Sequence, residues 1–192
     1  ADPLGPDAAD PPDATVYATG GFASRLAGAG VAVTHELGVA DVAFVDRVTP
    51  EAERFAARGG AVVQIPATDG RMADRGPFSY RGVPEQESWV GAASFFYQDS
   101  PLFAGLSTSR RLGWELDGVY PYAVASDVDA DADEIHAGYL EGWLANWGSP
   151  LVVRDYDAGS VAALTFRVRE TYGTQPVATA LVDRLIGTLA DR

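Results

Sequence analysis

The stretch AVVQIPATDG, from Ala61 to Gly70, decides the fold. Its first half is an apolar run with β-branched side chains, which is typical of a buried strand in a parallel sheet. Its second half combines Pro, Asp and Gly and predicts a turn. In an open α/β sheet, ligands and nucleophiles lie at the carboxyl ends of the strands. We therefore expect this turn to lie at the edge of the sheet that would carry a site.

The segments upstream of this stretch alternate between strand and helix patterns. The second predicted helix has Thr49 as N-cap, Pro50 at its first position and Gly59-Gly60 at its end, as helix boundaries usually do. The alternation predicts an α/β fold with a three-layer, open, mostly parallel sheet and helices on both faces. In chain order, the predicted elements are the strands TVYATGG (15–21), VAVTHEL (31–37), DVAFVD (41–46) and AVVQIP (61–66), with helices FASRLAGAG (22–30) and TPEAERFAARGG (49–60) between them.

The second half of the chain has weaker patterns. SPLVVRDYDAGSVAALTF (149–166) predicts two strands around a hairpin turn at Asp157-Ala158-Gly159. Residues 174–192 predict a closing amphipathic helix, with Val177, Leu181, Leu185 and Leu189 on one face. The other predicted elements are a helix at 88–97, strands at 110–116 and 118–126, and a helix or irregular aromatic segment at 136–148.

Length and composition indicate one folded domain. The 192 residues are 47% hydrophobic, which is enough for a core and too much for a disordered chain. Residues 1–13 are rich in Pro, Asp and Ala and predict a linker, so residues 14–192 form the predicted domain. No apolar run approaches the ~20 residues of a membrane helix. The chain lacks an initiator Met and a signal peptide, so we expect a fragment or a processed form.

The charge distribution restricts the partners. Asp and Glu total 27, the 14 basic residues are all Arg, and the net charge is -13. Such a surface is typical of a salt-accumulating halophile, where screening makes dense negative charge tolerable; an ordinary acidic protein from a GC-rich genome is the alternative. With either source, binding to a nucleic-acid backbone is disfavoured, because it needs a basic surface. Cysteine is absent, which removes disulfides, thiolate metal sites and a Cys nucleophile.

Three stretches resemble a known family. The segment from DVAFVD to PATDG (41–70) is similar to the middle of a class I glutamine amidotransferase-like domain. SPLFAGLS (100–107) resembles a segment of trehalose-utilisation-type and β-galactosidase-associated members, and residues 151–186 resemble the end of accessory domains in glycoside hydrolases. The resemblance implies a flavodoxin-like sheet in the accessory domain of a family-two-type, β-galactosidase-like glycoside hydrolase from a halophile. Its role would be packing against neighbouring domains or subunits.

The chain departs from the catalytic pattern of that family at the decisive turn. Catalytic members carry Gly-x-Cys-x-Gly after this strand, whereas this chain reads Pro66-Ala67-Thr68-Asp69. A nucleophile elbow needs small residues around a strained, exposed side chain, and Pro66 disfavours that geometry. We therefore predict no catalytic residue, no metal and no cofactor. Gly20, Gly21, Thr68 and Asp69, at the ends of two predicted strands, remain candidates for ligand binding.

A hydrolase with a non-standard Ser/Thr–His site is one alternative. Only His35 and His136 could serve as the base, and no His follows residue 136, where the family pattern requires one. Thr68 or Ser79 acting with His136 is supported by residue type alone.

The acidic segment SDVDADADEIHAG (126–138) invites a calcium interpretation. Counting from Asp127, the sixth and twelfth positions hold Ala132 and Gly138, where an EF-hand loop needs Gly and Glu. We therefore interpret the segment as a solvated acidic loop.

A carbohydrate-binding module is the other alternative. If residues 136–148 form a helix, Tyr139, Trp143 and Trp147 share one face and could stack on sugar rings. Core or interdomain packing is the other interpretation of the three rings, and it is the one we predict for Trp89 and Trp114. A glycosidase pair of Glu115 and Glu141 is disfavoured because the chain is short for an eight-stranded barrel.

The function that we expect from the sequence is a non-catalytic accessory domain of a larger carbohydrate-active enzyme. Its expected partners are other domains of the parent chain, a second copy in a homo-oligomer, and carbohydrate, but neither nucleic acid nor membrane. The compartment would be the cytoplasm of a halophile or the exterior of the cell.

Overall fold

The structure is a computed structural model that describes residues 12–84, 91, 93–107, 109–142 and 146–192. The described strands are β1 Thr15–Tyr17, β2 Ala32–Thr34, β3 Val42–Val45, β4 Ala61–Gln64, β5 Tyr80–Gly82, β6 Phe95–Gln98, β7 Arg111–Leu112, β8 Ala123–Ala125, β9 Glu134–Glu141, β10 Asn146–Tyr156 and β11 Gly159–Leu164. The described α-helices are α1 Gly20–Gly28, α2 Pro50–Ala56, α3 Val168–Thr171 and α4 Pro176–Ala190. None of these helices has both the length and the apolar character that a membrane crossing requires.

The strands form one mixed sheet with two halves. The order along the sheet is β2-β1-β3-β4-β11-β10-β9-β6-β7. From β2 to β11 every neighbouring pair is parallel, and from β11 to β7 every pair is antiparallel. Strands β5 and β8 attach beside this path through a short antiparallel pairing of β8 with β10. The predicted α/β class with a large sheet is confirmed, and the sheet is parallel in the half predicted from the first four strands and antiparallel in the other half.

Local sequence signals explain the helices that the sequence predicts well. The Thr49 side chain accepts a hydrogen bond from Ala52 N at 3.2 Å and Pro50 opens α2, which satisfies backbone donors at the helix start. Gly59 follows the helix with a φ of +104°, a conformation that favours glycine. In the same way, Gln175 accepts from Ala178 N at 2.7 Å ahead of Pro176 in α4.

The core lies on both faces of the central strands because successive side chains point to opposite faces. On one face, Val63 shares a cluster with Leu26 of α1 and Leu185 of α4. On the other face, Val62 shares a cluster with Phe55 of α2. Helices therefore cover both faces of β4, as its uninterrupted apolar sequence predicts.

The closing helix and the hairpin are confirmed. Leu181, Leu185 and Leu189 are buried along α4, and Val177 is partly buried against the same cluster. β10 and β11 pair across a two-residue turn, with Tyr156 opposite Gly159.

Three other predictions for the second half differ from the structure. Of the predicted helix at 88–97, residues 88–90 and 92 lie outside the described residues and Gly91 is helical, but the segment from Phe95 forms β6, because consecutive aromatic residues favour strands. The predicted strands at 110–116 and 118–126 shorten to β7 and β8, since Gly113 and Pro121 interrupt them.

The helix or irregular aromatic segment predicted at 136–148 is wrong, because residues 136–141 belong to β9 and residues 146–148 begin β10. Its glycines are the physical reason. A Cβ on Gly138 would lie 2.1 Å from the Tyr97 ring, and one on Gly148 would lie 2.6 Å from Ala125 O. Both positions are therefore close approaches between neighbouring strands.

The predicted linker lies mostly outside the described residues, which begin at Pro12. The division into a linker and one domain at residue 14 therefore stays a prediction.

Replacing Gly159 by Ala should destabilise the fold. A Cβ at this position would lie 2.2 Å from Gly60 O and 2.5 Å from Ala56 O, so backbone atoms would have to move. We expect the free energy of unfolding, measured by urea denaturation, to fall by about 1–3 kcal/mol.

Gly28→Ala is the matched control, because a Cβ there meets nothing within 4 Å at the end of α1. This variant should gain about 0.5–1 kcal/mol from reduced freedom of the unfolded chain. Equal stability of the two variants would contradict the tight packing of β11 against the end of α2.

Candidate functional site

The carboxyl ends of β1, β3, β4 and β11 lie along one edge of the sheet, because these strands run parallel. This carboxyl edge is where an open α/β sheet binds its ligands. The segments that follow the strands there are residues 18–21, 46–48, 65–70 and 165–167.

The turn after β4 is closed by its own hydrogen bonds. Ala67 N donates to Arg71 O at 2.9 Å, Gly70 N donates to Ala67 O at 2.9 Å, and Asp69 Oδ1 accepts from Arg71 N at 3.1 Å. Thr68 and Asp69 are exposed, as binding candidates should be. Within the described part of the chain, however, neither a histidine nor a carboxylate bonds to the Thr68 hydroxyl, so no group there activates it as a nucleophile.

The other two predicted binding residues begin α1. Gly20 has a φ of +61°, which explains the glycine, and both Gly20 and Gly21 are exposed. Because β3 lies between β1 and β4, these glycines share the edge with Thr68 and Asp69 but lie on the other side of the β3 end. Their role in ligand binding stays a prediction.

The aromatic segment does not form the predicted stacking face. Tyr139 is fully buried, with its ring centre 4.7 Å from that of Phe96. Trp147 is half-buried and pairs with Leu140, the next residue along β9. The rings of Tyr139 and Trp147 therefore lie on opposite faces of the sheet. Trp143 lies outside the described residues.

Glu115 and Glu141, which the sequence disfavours as a glycosidase pair, lie in different surroundings. Glu141 is buried and forms an ion pair with Arg81, which in turn donates to Trp147 O at 3.3 Å. Glu115 lies on a different turn, next to Trp114.

The acidic loop is held together from within. Asp133 is buried and accepts two hydrogen bonds of 2.7 Å from Arg154, so it is not a solvated side chain as predicted. Burial alone would raise the pKa of Asp133, but the hydrogen bonds from Arg154 and Asp129 N and the charge of Arg154 hold it below its usual value. Among the described residues, no group of three or more His, Asp or Glu is arranged to hold a metal ion.

Arg167 organises a loop at the carboxyl edge that sequence reasoning missed. It follows β11, and its guanidinium donates to Tyr120 O at 3.0 Å, to the Tyr122 hydroxyl at 2.9 Å and to Gly118 O at 3.2 Å. The guanidinium carbon also lies 4.7 Å from the centre of the Tyr122 ring. The same ring covers Gly70, where a Cβ would lie 2.5 Å from it. The loop at 118–122 is thereby fixed beside the turn after β4.

A cleft of about 830 Å³ opens on the other side of this loop. Trp114 lines it and is 83% exposed, so this residue does not pack in the core of the domain. The side chains that line the cleft with it include Phe95, Arg111, Asp117, Tyr120 and Arg167.

Ser100 and His136 form a second polar constellation. Ser100 Oγ lies 2.7 Å from His136 Nδ1 and accepts from Leu102 N at 3.2 Å, which caps a short 3₁₀-helix at Pro101–Phe103. His136 Nε2 lies 3.4 Å from Glu134 Oε1, and Glu134 is also paired with Arg192. The hydroxyl of Ser100 therefore already has a structural role. It is in hydrogen-bond contact with His136, but His136 Nε2 forms no hydrogen bond with a described residue, so the order Ser100–His136–Glu134 is an incomplete proton relay. The structure brings His136 to Ser100 rather than to the predicted Thr68 or Ser79.

His136 should make the protein less stable in mild acid. Burial lowers its pKa to about 4 from an ordinary value of 6.5. Between these pH values the unfolded chain binds a proton that the folded chain refuses, so the stability present above pH 6.5 is lost as the pH falls. Between pH 7 and pH 4, the free energy of unfolding of the His136→Gln variant should therefore fall by up to about 3 kcal/mol less than that of the original protein, as measured by urea denaturation.

His35→Gln is the matched control at an exposed position. A pH dependence that changes equally in the two variants would contradict the role of His136 burial.

Comparison with known proteins finds likeness in structure alone. No protein-family model matches the chain, and no curated protein matches it in sequence. A cytoplasmic protein of Salmonella typhimurium, STM3548, has 12% identity and a TM-score of 0.51, covering 92% of this chain and 97% of its own.

Two larger carbohydrate-active proteins share the same fold in part. A β-galactosidase from Rahnella sp. R3 has 12% identity and a TM-score of 0.50, covering 89% of this chain and 30% of its own. The carbohydrate deacetylase Agd3 has 12% identity and a TM-score of 0.54, covering 92% of this chain and 32% of its own. The chain thus spans about a third of each larger protein and has a mixed α/β fold similar to a portion of each.

Proposed function

We propose that this chain is a non-catalytic accessory domain of a larger carbohydrate-active enzyme, with a sheet of the flavodoxin and amidotransferase-like kind. The observation that carries the proposal is the turn after β4. Its backbone is closed by the Ala67–Arg71 and Gly70–Ala67 hydrogen bonds, and Arg169 Nε holds Pro66 O at 2.9 Å. A turn fixed in this way keeps the shape of the site without supplying a reactive atom.

The partial coverage of the larger proteins supports an accessory role. About 30% of the β-galactosidase and 32% of the deacetylase suffices to match nearly the whole of this chain. A domain of this kind contributes packing area against neighbouring domains or subunits, as inter-domain interfaces within one chain generally do.

Hydrolysis by Ser100, His136 and Glu134 is the second candidate function. The 2.7 Å contact between Ser100 Oγ and His136 Nδ1 is the observation that favours it. Because burial holds His136 neutral above about pH 4, it could accept the proton of the hydroxyl at neutral pH. Against this role, the N-cap contact with Leu102 N already occupies Ser100.

An activity assay separates the two functions. The purified chain is offered p-nitrophenyl acetate, p-nitrophenyl β-galactoside and glutamine, at low and at molar salt. We expect no turnover above the buffer background, because the turn after β4 presents no activated nucleophile.

Ser100→Ala and His136→Gln are the informative variants, and Ser24→Ala, exposed on α1, is the matched control. Turnover that both informative variants abolish and the control retains would establish the hydrolase instead of the accessory domain.

The accessory role is tested in the full-length protein. Deleting residues 14–192 should lower the number of subunits per assembly, obtained from light scattering after correction for the deleted mass, since packing surfaces are removed. A coding region that ends without any carbohydrate-active domain would contradict the proposal.

A further inference from the structure

Trp114 is a large apolar side chain that the fold holds out into solvent. It is 83% exposed, whereas Leu116, two residues later, is buried. The turn between them is fixed, because Asp117 N donates to Trp114 O at 2.9 Å and Gln175 Nε2 donates to Glu115 O at 3.3 Å. A rigid backbone that displays an indole instead of burying it is typical of a binding surface.

The cleft beside Trp114 has the size and chemistry of a ligand site. Its 830 Å³ lies within the range of about 300–1,000 Å³ that small-ligand sites occupy. The indole and the half-buried ring of Phe95 provide apolar surface, and Arg111 and Asp117 provide a hydrogen-bond donor and an acceptor at the same cleft. Apolar faces next to a few polar groups are what a ligand with both kinds of surface requires.

A second exposed ring extends this surface along the carboxyl edge. Tyr122 is 53% exposed, and Arg167 holds both its hydroxyl and its ring face. Arg167 also lines the cleft, so the residue that holds Tyr122 belongs to the same cleft as Trp114. Because the described hydrogen bonds of Arg167 go to the loop, we treat it as a positioning residue and not as a ligand contact.

We propose that the Trp114 cleft binds an oligosaccharide of pyranose rings, a proposal that rests on the accessory role in a carbohydrate-active enzyme. A pyranose presents an apolar face of C–H groups that packs on the indole, and its hydroxyls bond to Arg111 and Asp117. Phosphate-rich ligands are disfavoured because the chain carries a net charge of -13.

Titration calorimetry with defined oligosaccharides tests the proposal. The probes are β-1,4-galactotetraose, chitotetraose and trigalacturonate, which distinguish neutral, N-acetylated and acidic sugars. We expect at least one probe to bind, and Trp114→Ala to weaken its binding about tenfold or more. Trp114→Phe should retain part of the affinity, because a smaller aromatic face remains.

Val39→Ala is the matched control. Val39 is 60% exposed but precedes β3, at the opposite edge of the sheet, so its loss should leave binding unchanged. Circular dichroism of Trp114→Ala verifies that this exposed substitution keeps the fold.

Three outcomes would overturn the proposal. They are no binding of any probe up to about 5 mM, binding that survives Trp114→Ala, and self-association in light scattering that Trp114→Ala abolishes. The last outcome would make the cleft an interface between copies. These outcomes concern binding and not turnover. The proposal of a glycan site can therefore be contradicted while the proposal of a non-catalytic domain stands, and the reverse also holds.

Discussion

The pairing of β4 with β11 is the contact on which the rest of the molecule depends. β11 comes from the second half of the chain and pairs with β4 in parallel, with Val161 opposite Val62 and Ala162 opposite Val63. On its other side β11 pairs with β10 in the antiparallel direction, so it connects the two halves of the sheet. Both strands are buried on both faces, so the pair contributes side chains to the hydrophobic cluster on each face of the sheet. It is close enough that Gly159 has no space for a Cβ against the end of α2. Because Arg167 comes shortly after β11, the pairing of β11 with β4 also positions Arg167.

The first third of the fold was predictable because local and global signals agree there. The apolar run at Ala61–Gln64 has the length of a strand buried on both faces, and Thr49 with Pro50 specifies the start of α2 without any long-range contact. The hairpin at Asp157 was predictable for the same reason, since its turn residues lie between two apolar runs. The parallel direction of β1, β3 and β4 followed from the helices between them.

The second half was not predictable from periodicity, because its conformation is decided by distant residues. Tyr139 looked like one member of a helical aromatic stripe, but its neighbours are Phe96 on β6 and Gly148 on β10. Gly138 is required because the Tyr97 ring lies over it, and nothing near it in sequence reports that contact. Trp114 was misread for the opposite reason, because aromatic residues usually bury their area and only the structure reveals the exposed exception.

The carboxyl edge separates two features that often coincide in α/β proteins. The turn after β4 occupies the place of a nucleophile and is closed on itself, whereas the exposed aromatic side chains lie beside the end of β11. Ligand binding at the exposed aromatic side chains would therefore not require a nucleophile at the turn after β4. Arg167 carries the loop between them, and its described contacts are with backbone oxygens and the Tyr122 side chain. Leu112 and Leu116 hold the turn at 111–117 in the core, and the Arg167 clamp grips mostly main chain, so the exposed side chains of Arg111, Trp114 and Asp117 can change without disturbing either. One scaffold could thus acquire a succession of specificities while its architecture stays constant.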